Sequence, residues 1–198
     1  MVTVEYRMAS VALAPAAVGD CHCALCWVYQ HANDYGFETT KLVVEGSSAG
    51  GHLALITGML TPDAGFDGDC PGTENLKVAA IVNYFGITDV ADALEGPNRK
   101  NYTVMWLNSL PDRMNLAKRL SPLTYVRAGL PPVITLQGDK DPTVPYPQGV
   151  RLHDALDRAG VPNQLVTIPG GGHGGWSLEE NLRVQQAVFQ FLHEHKIP

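Results

Sequence analysis

At 198 residues, 45% hydrophobic and 17% charged, the chain has the make-up of an ordinary globular domain, long enough to bury a substantial core. A formal net charge of -6 argues against a nucleic-acid-binding or anionic-membrane surface. No uninterrupted apolar stretch reaches the ~18 residues of a membrane span.

In chain order, Val2-Thr3-Val4-Glu5-Tyr6-Arg7 alternates like a β-strand. Met8 to Ala17 faintly resembles a signal peptide's apolar core and cleavage region. It lacks a basic start, since Glu5 offsets Arg7, and Pro15 interrupts it, so the expected location is cytoplasmic, with secretion as the alternative. Gly19 to Tyr35 carries apolar and aromatic residues at helical spacing and closes on the turn residues Asn33-Asp34-Tyr35-Gly36. Cys21, Cys23 and Cys26 crowd this helix and Cys70 is remote, which is not the regular framework of a disulfide-stapled domain. On a helix Cys23 and Cys26 share a face from which His22 diverges, and no second ligand pair matches them. Small buried hydrophobes are the expected role, with a metal clip as the alternative.

Lys41 to Glu45 reads as a strand and His52 to Leu60 as a helix, followed by a surface loop over Thr61 to Asn75, rich in Pro, Gly, Asp and Thr. Leu76 to Phe85 is a buried strand ending at Gly86. From Ile87 to Tyr125 the pattern turns polar and helical, broken at Gly96-Pro97, Leu110-Pro111 and Ser121-Pro122. Pro132 to Leu136 is strand-like, Pro147 to Gly160 helical, Gln164 to Ile168 the last strand, and Leu178 to His195 a closing amphipathic helix. His22, His31, His153, His193 and His195 fall in helical patterns and read as surface or packing residues. The alternation of strand and helix predicts an α/β fold of three layers, with a mostly parallel sheet covered on both faces.

Gly46-Ser47-Ser48-Ala49-Gly50 fills a G-x-S-x-G pattern between a strand and a helix. A serine at the top of such a sharp turn is strained, and glycines two places either side are expected to remove clashes with neighbouring elements. The turn aims the Ala49 N–H, at the start of the helix, toward an oxygen that becomes negative when an acyl carbonyl is attacked. Two more strand-to-loop breaks carry polar residues: Gly138-Asp139-Lys140-Asp141-Pro142, and Gly170-Gly171-Gly172-His173-Gly174-Gly175-Trp176. The order Ser, Asp, His, each just after a strand, is that of an α/β-hydrolase triad. His52 lies close by, but on the helix after the serine it is expected to position structure rather than move protons.

The chain resembles the esterase branch of the α/β-hydrolase superfamily, in particular bacterial enzymes with Gly-x-Ser-Ala-Gly-Gly-His-Leu-Ala at the elbow. These include acetyl, acetylxylan and feruloyl esterases and relatives of prolyl-oligopeptidase-like peptidases. The likeness covers Glu5 to Ala9 with Pro15-Ala16-Ala17, the elbow, Tyr84-Phe85-Gly86-Ile87-Thr88-Asp89, Leu120-Ser121-Pro122-Leu123, and the aspartate and histidine loops. It implies Ser48 as nucleophile, His173 as general base and Asp141 as the triad acid. Asp139 competes for the last role, but in the family's G-D-x-D-P pattern the second aspartate carries it. The resemblance also makes residues 87–125 a small helical cap on a single domain spanning 1–198. Tyr102, Met105, Trp106 and Leu107 then either line an acyl or aryl pocket or pack the cap to the body. Trp176 has the same two readings. No cofactor or metal is required.

The chain departs from this family at its front, where three further strands and a His-Gly-Gly loop supplying oxyanion N–H groups usually precede the residues matching Val2 to Arg7. A sheet reduced to about five or six strands is expected, with an exposed edge that favours a homo-oligomer. The oxyanion donors reduce to Ala49 and a compensating group, such as the Gly170 to Gly172 loop or a partner subunit. The expected activity is a serine carboxylic ester hydrolase on short-chain acyl or aryl small-molecule esters. An amidase or peptidase, or a catalytically weak scaffold, is the alternative; peptidases of this type usually add a large recognition domain for which 198 residues leave no room.

Overall fold

The computed structural model describes residues 1–66, 70 and 76–197. Four parallel strands form one sheet in the order β1 (Val43–Ser47), β2 (Ala80–Tyr84), β3 (Val133–Gly138) and β4 (Asn163–Ile168). The register pairs Glu45 with Val82, Val82 with Ile134, and Ile134 with Gln164. The helices are α1 (Ala16–Gln30), α2 (Ala32–Tyr35), α3 (Ala49–Met59), α4 (Val90–Leu94), α5 (Asn101–Leu107), α6 (Arg113–Arg119), α7 (Tyr146–Arg158) and α8 (Leu178–Glu194).

Alternate residues of the strands feed different cores, as the period of two requires. Ile81 and Val133 pack with Leu55 and Met59 of α3 and Leu152 and Leu156 of α7. Val82, Ile134 and Leu136 face the other way and meet Val184, Val188 and Phe191 of α8. Helices thus cover both faces of the sheet. α8 is opened by Ser177, whose Oγ accepts the Glu180 N–H at 3.2 Å, and Glu179 and Glu180 complement the positive end of the helix dipole. A third core joins α1 and α3 to the α4–α6 segment through Val18, Leu53, Ile56, Leu94, Leu107 and Leu120, all buried.

Two expectations at the level of whole elements and cross-links change. Among the described residues the sheet has four strands, not five or six, because Val2 to Arg7 does not join it. Alternation makes a strand only where a neighbouring edge satisfies the backbone. Here the Arg7 N–H donates to Asp20 of α1 at 2.9 Å, the Arg7 guanidinium forks onto the same carboxylate, and Val2 and Val4 stay exposed. The second change is a disulfide between Cys23 and Cys70, with Cα atoms 5.3 Å apart, within the ordinary range for such a bond. The pair is 47 residues apart in sequence, a separation that spacing within α1 does not reveal; Cys26 is buried, as a small hydrophobe would be. The expected loop over Thr61 to Asn75 includes a 3-10 turn at Pro62–Ala64; residues 67–69 and 71–75 of it lie outside the described residues. No described helix is long and apolar enough to cross a membrane.

The turn from β1 to α3 is sterically crowded. Ser48 sits at φ 53°, ψ -116°, and its N–H continues the ladder by donating to the Tyr84 carbonyl at 2.8 Å. A Cβ on Gly46 would collide with the backbone of Gly50. The second crowded glycine is Gly51, whose Cβ would meet the Asn83 side chain and Gly86, whereas Gly50 faces open space. The expectation that Gly50 relieves a clash is therefore corrected to Gly51. Gly46→Ala should destabilise by at least about 3 kcal/mol, while Gly50→Ala, in the first turn of a helix, should be neutral or stabilising by about 0.5 kcal/mol. Denaturant titration of the two variants checks this; equal losses would mean that the crowding at Gly46 is relieved by movement.

His52 ties α3 to the segment after β2: it is buried, its Nδ1 lies 3.0 Å from the Ile87 carbonyl, and its ring meets Trp106 edge-on. Burial pushes its pKa down to about 4, so the folded protein holds it neutral. Between that value and the unfolded value near 6.5, the unfolded chain binds the extra proton. Its contribution is therefore complete above about pH 6.5 and is lost as pH falls toward 4. His153, also buried, adds a contribution of the same sign. Wild type should lose about 2 to 3 kcal/mol more than His52→Asn between pH 7 and 4.5. Urea midpoints at the two pH values test this, and parallel losses would remove His52 as the cause.

Candidate active site

The site lies at the carboxyl ends of the strands, where three connections converge, the usual place for function in a parallel sheet. Ser48 follows β1, and His173 follows β4 on a loop turned by Gly174 and Gly175, both at positive φ. Asp141 follows β3. His173 Nε2 lies 2.8 Å from Ser48 Oγ, and Nδ1 lies 2.8 Å from Asp141 Oδ2. The Asp141 side chain is fully buried, and its other oxygen accepts the N–H groups of Thr143 at 2.8 Å and Val144 at 2.9 Å. A buried carboxylate so bonded is fixed in rotamer and keeps one oxygen for the imidazole. Asp139 is used otherwise: its Oδ1 accepts the Gly170 N–H at 2.7 Å, tying the aspartate loop to the histidine loop.

Ala49 is exposed at the head of α3, where the first N–H groups of a helix have no intrahelical partner. Two of the N–H groups of the Gly170 to Gly172 loop are already engaged. Gly170 N–H is held by Asp139, and Gly171 N–H donates to the Ile168 carbonyl at 3.0 Å.

Phe85, to which sequence reasoning assigned no role, is central here. It follows the last residue of β2 at φ 43°, in a region that non-glycine residues seldom occupy, and its N–H donates to the Leu136 carbonyl at 2.9 Å. Asn83 Oδ1 accepts the next N–H, of Gly86, at 2.9 Å and steadies the turn. The Phe85 ring meets the His173 imidazole at 4.6 Å between centroids and Trp176 at 5.4 Å, near-perpendicular to the latter. Trp176 packs there and against the α8 core, with its indole N–H on the Gly172 carbonyl at 3.2 Å. The packing reading of Trp176 is the one the structure carries.

A cavity of about 180 Å³ opens beside Ala49. Ala49, His52 and Leu53 of α3, Ile87, and Tyr102, Thr103 and Trp106 of α5 wall it, and Tyr6 to Ala9 completes it. Of the four residues weighed as pocket or packing, Tyr102 and Trp106 line the cavity, Leu107 is buried in the core, and Met105 is exposed. Tyr102 as a whole is 37% exposed, but the partial desolvation of its phenol and the nearby Asp141 charge push that group up to about 12. Lys100, at the head of α5, donates from Nζ to the Pro142 carbonyl at 2.8 Å, a contact with no signature in the sequence because its acceptor is main chain. Among the described residues no cluster of three His, Cys, Asp or Glu side chains is arranged to hold a metal ion.

Comparison with known proteins agrees with this architecture. Esterase LipQ of Mycobacterium tuberculosis is 29% identical over 201 residues, covering 96% of this chain and 47% of LipQ. Carboxylesterase NlhH of the same species is 28% identical, covering 88% of this chain and 56% of NlhH. The chain thus spans about half the length of these curated relatives. The thermophilic esterase Est2 of Thermogutta terrifontis superposes with a TM-score of 0.76 at 31% identity, over 96% of this chain and 68% of that one. A truncated carbohydrate esterase from gut microbiota shares the fold, with a TM-score of 0.81 at 24% identity over 98% of this chain and 73% of that one. The family model of BD-FAE matches residues 1–156, and with this extent of agreement the chain belongs to the BD-FAE family, within the α/β-hydrolase superfamily.

Proposed function

We propose that the protein is a serine carboxylic ester hydrolase acting on short-chain acyl or aryl esters. The observation that carries the reading is the continuous hydrogen-bonded chain from Ser48 through His173 to Asp141, with its serine on a strained strand-to-helix turn. His173 Nε2 takes the proton of Ser48 Oγ as the oxygen attacks the ester carbonyl carbon. Asp141 holds the imidazole in the tautomer with the proton on Nδ1 and stabilises the imidazolium that forms. The oxygen that becomes negative is met by the Ala49 N–H at the positive end of α3. Collapse breaks the bond to the alcohol, which leaves with the proton from Nε2, and the acyl group stays on Ser48. Water then gives a proton to His173 as its oxygen attacks the acyl-enzyme, and collapse breaks the bond to Ser48 Oγ, which recovers that proton from Nε2 as the acid leaves.

The cavity volume bounds the acyl or aryl group. At about 180 Å³ it slightly exceeds the ~150 Å³ that holds a benzene ring, which suits one ring or a few carbons. In this reading residues 87–125 act as a small cap on a single domain, and Tyr102 and Trp106 are its contribution to the pocket. Among the described residues the outer edge of β1 has no strand partner, which supports a homo-oligomer. The esterase names of LipQ and NlhH support the chemical class over an amidase.

Purified protein should hydrolyse p-nitrophenyl acetate and butyrate, and Ser48→Ala should lose at least about a thousandfold in kcat and all labelling by a fluorophosphonate. Light scattering in the same buffer reads the oligomer. Labelling that survives the substitution would assign another nucleophile, and a monomeric mass would remove the edge-to-edge assembly.

Asp141→Asn should lower kcat by at least about a hundredfold through the wrong imidazole tautomer. Asp139→Asn, which alters only a loop-to-loop tie, should cost less than about tenfold. The reverse ranking would give Asp139 the acid role.

A further inference from the structure

The aspartate loop stands outside the sheet, because β3 ends at Gly138, so its main-chain carbonyls need partners from elsewhere. From inside, the buried Gln137 donates to the Val144 carbonyl at 3.0 Å. From outside, the two carbonyls that follow Asp141 are both taken by the start of α5: Pro142 by Lys100 Nζ at 2.8 Å, and Thr143 by the Tyr102 hydroxyl at 3.2 Å. Thr143 in turn donates its N–H to Asp141 Oδ1. The Tyr102 phenol is thus linked through the Thr143 backbone, by its carbonyl on one side and its N–H on the other, to Asp141 and from there by hydrogen bonds to His173 and Ser48. The same Tyr102 ring walls the cavity beside Ala49.

We propose that Tyr102 is a positioning residue with two faces: its ring shapes the acyl or aryl cavity, and its hydroxyl holds the loop that aims Asp141 at His173. This rests on the reading of Ser48, His173 and Asp141 as a triad. A side chain that serves both makes the fit of the substrate and the aim of the acid parts of one arrangement, because a group filling the cavity presses on the ring that carries the strut. The phenol, held protonated well beyond neutral pH by partial desolvation and by the Asp141 charge, is a donor throughout the working range of a hydrolase. Lys100 provides a second strut on the neighbouring carbonyl and makes no wall of the cavity.

The test separates the two faces by substitution and keeps one readout independent of turnover. The proton on His173 Nδ1, bonded to Asp141, gives a downfield NMR resonance identified by its loss in His173→Gln. Tyr102→Phe keeps the ring and removes the strut. It should broaden that resonance or move it upfield, and lower kcat on p-nitrophenyl butyrate by roughly threefold to tenfold, with KM within about twofold of wild type. Tyr102→Ala removes both faces and should raise KM for the butyrate as well as lower kcat. A resonance unchanged in Tyr102→Phe, or absent from the wild type, overturns the proposal. If the wild type hydrolyses no ester while the resonance still responds to Tyr102→Phe, the strut stands and the esterase reading fails.

Discussion

Everything at the site depends on two residues held in backbone conformations that they would not choose. Ser48 and Phe85 both lie at positive φ, each one residue past the end of a strand, and such positions cost on the order of 1 to 3 kcal/mol apiece. Each is locked the same way. The Ser48 N–H donates to the Tyr84 carbonyl of β2, and the Phe85 N–H to the Leu136 carbonyl of β3, so the ladder runs one bond beyond the strand before the chain turns away. The parallel sheet, buried on β2 and β3 and clamped between α3, α7 and α8, bears the strain. What the strain achieves is direction. Ser48 points its hydroxyl out of the elbow, and Phe85 lays its ring against the imidazole that must meet that hydroxyl.

The closeness of Ser48, Asp141 and His173 is legible in the sequence for a topological reason. All the strands run in parallel, so any loop that follows a strand opens at the same end of the sheet, and three loops bearing Ser, Asp and His converge there. The elbow is legible because its turn chemistry is local. Its steric detail is not: the pattern asks for glycine at position 50, yet the crowding falls on Gly51, through contacts with Asn83 and Gly86 more than thirty residues away.

The parts that sequence reading missed share one property, dependence on a distant partner. The alternation of Val2 to Arg7 speaks for a strand, but pairing is decided by which edge is adjacent, and here Asp20 of α1 takes the segment instead. Cys23 and Cys70 look unrelated in sequence because one lies on α1 and the other 47 residues along the chain. Lys100 and Tyr102 act on main-chain carbonyls, and a carbonyl carries no residue-type signal to match against a donor. Phe85 looks like an ordinary strand residue until its φ and its two aromatic neighbours are known.

The same dependence explains why the α4–α6 segment matters to the site although it contributes none of Ser48, Asp141 or His173. The segment is anchored to the body by polar contacts from α7: Arg151 bridges Asp89 and Asp92, and Gln148 bonds the main chain at Thr88 and Asp89, while within the segment Ser121 Oγ accepts the Val90 N–H. Gln148 is itself buried, so its amide must be satisfied where it is and resists displacement. With its base fixed in this way, α5 reaches the aspartate loop from a rigid platform rather than from a floppy excursion. A strut of one or two hydrogen bonds orients a loop only if its far end cannot move, and the Asp89–Asp92–Arg151–Gln148 network supplies that condition.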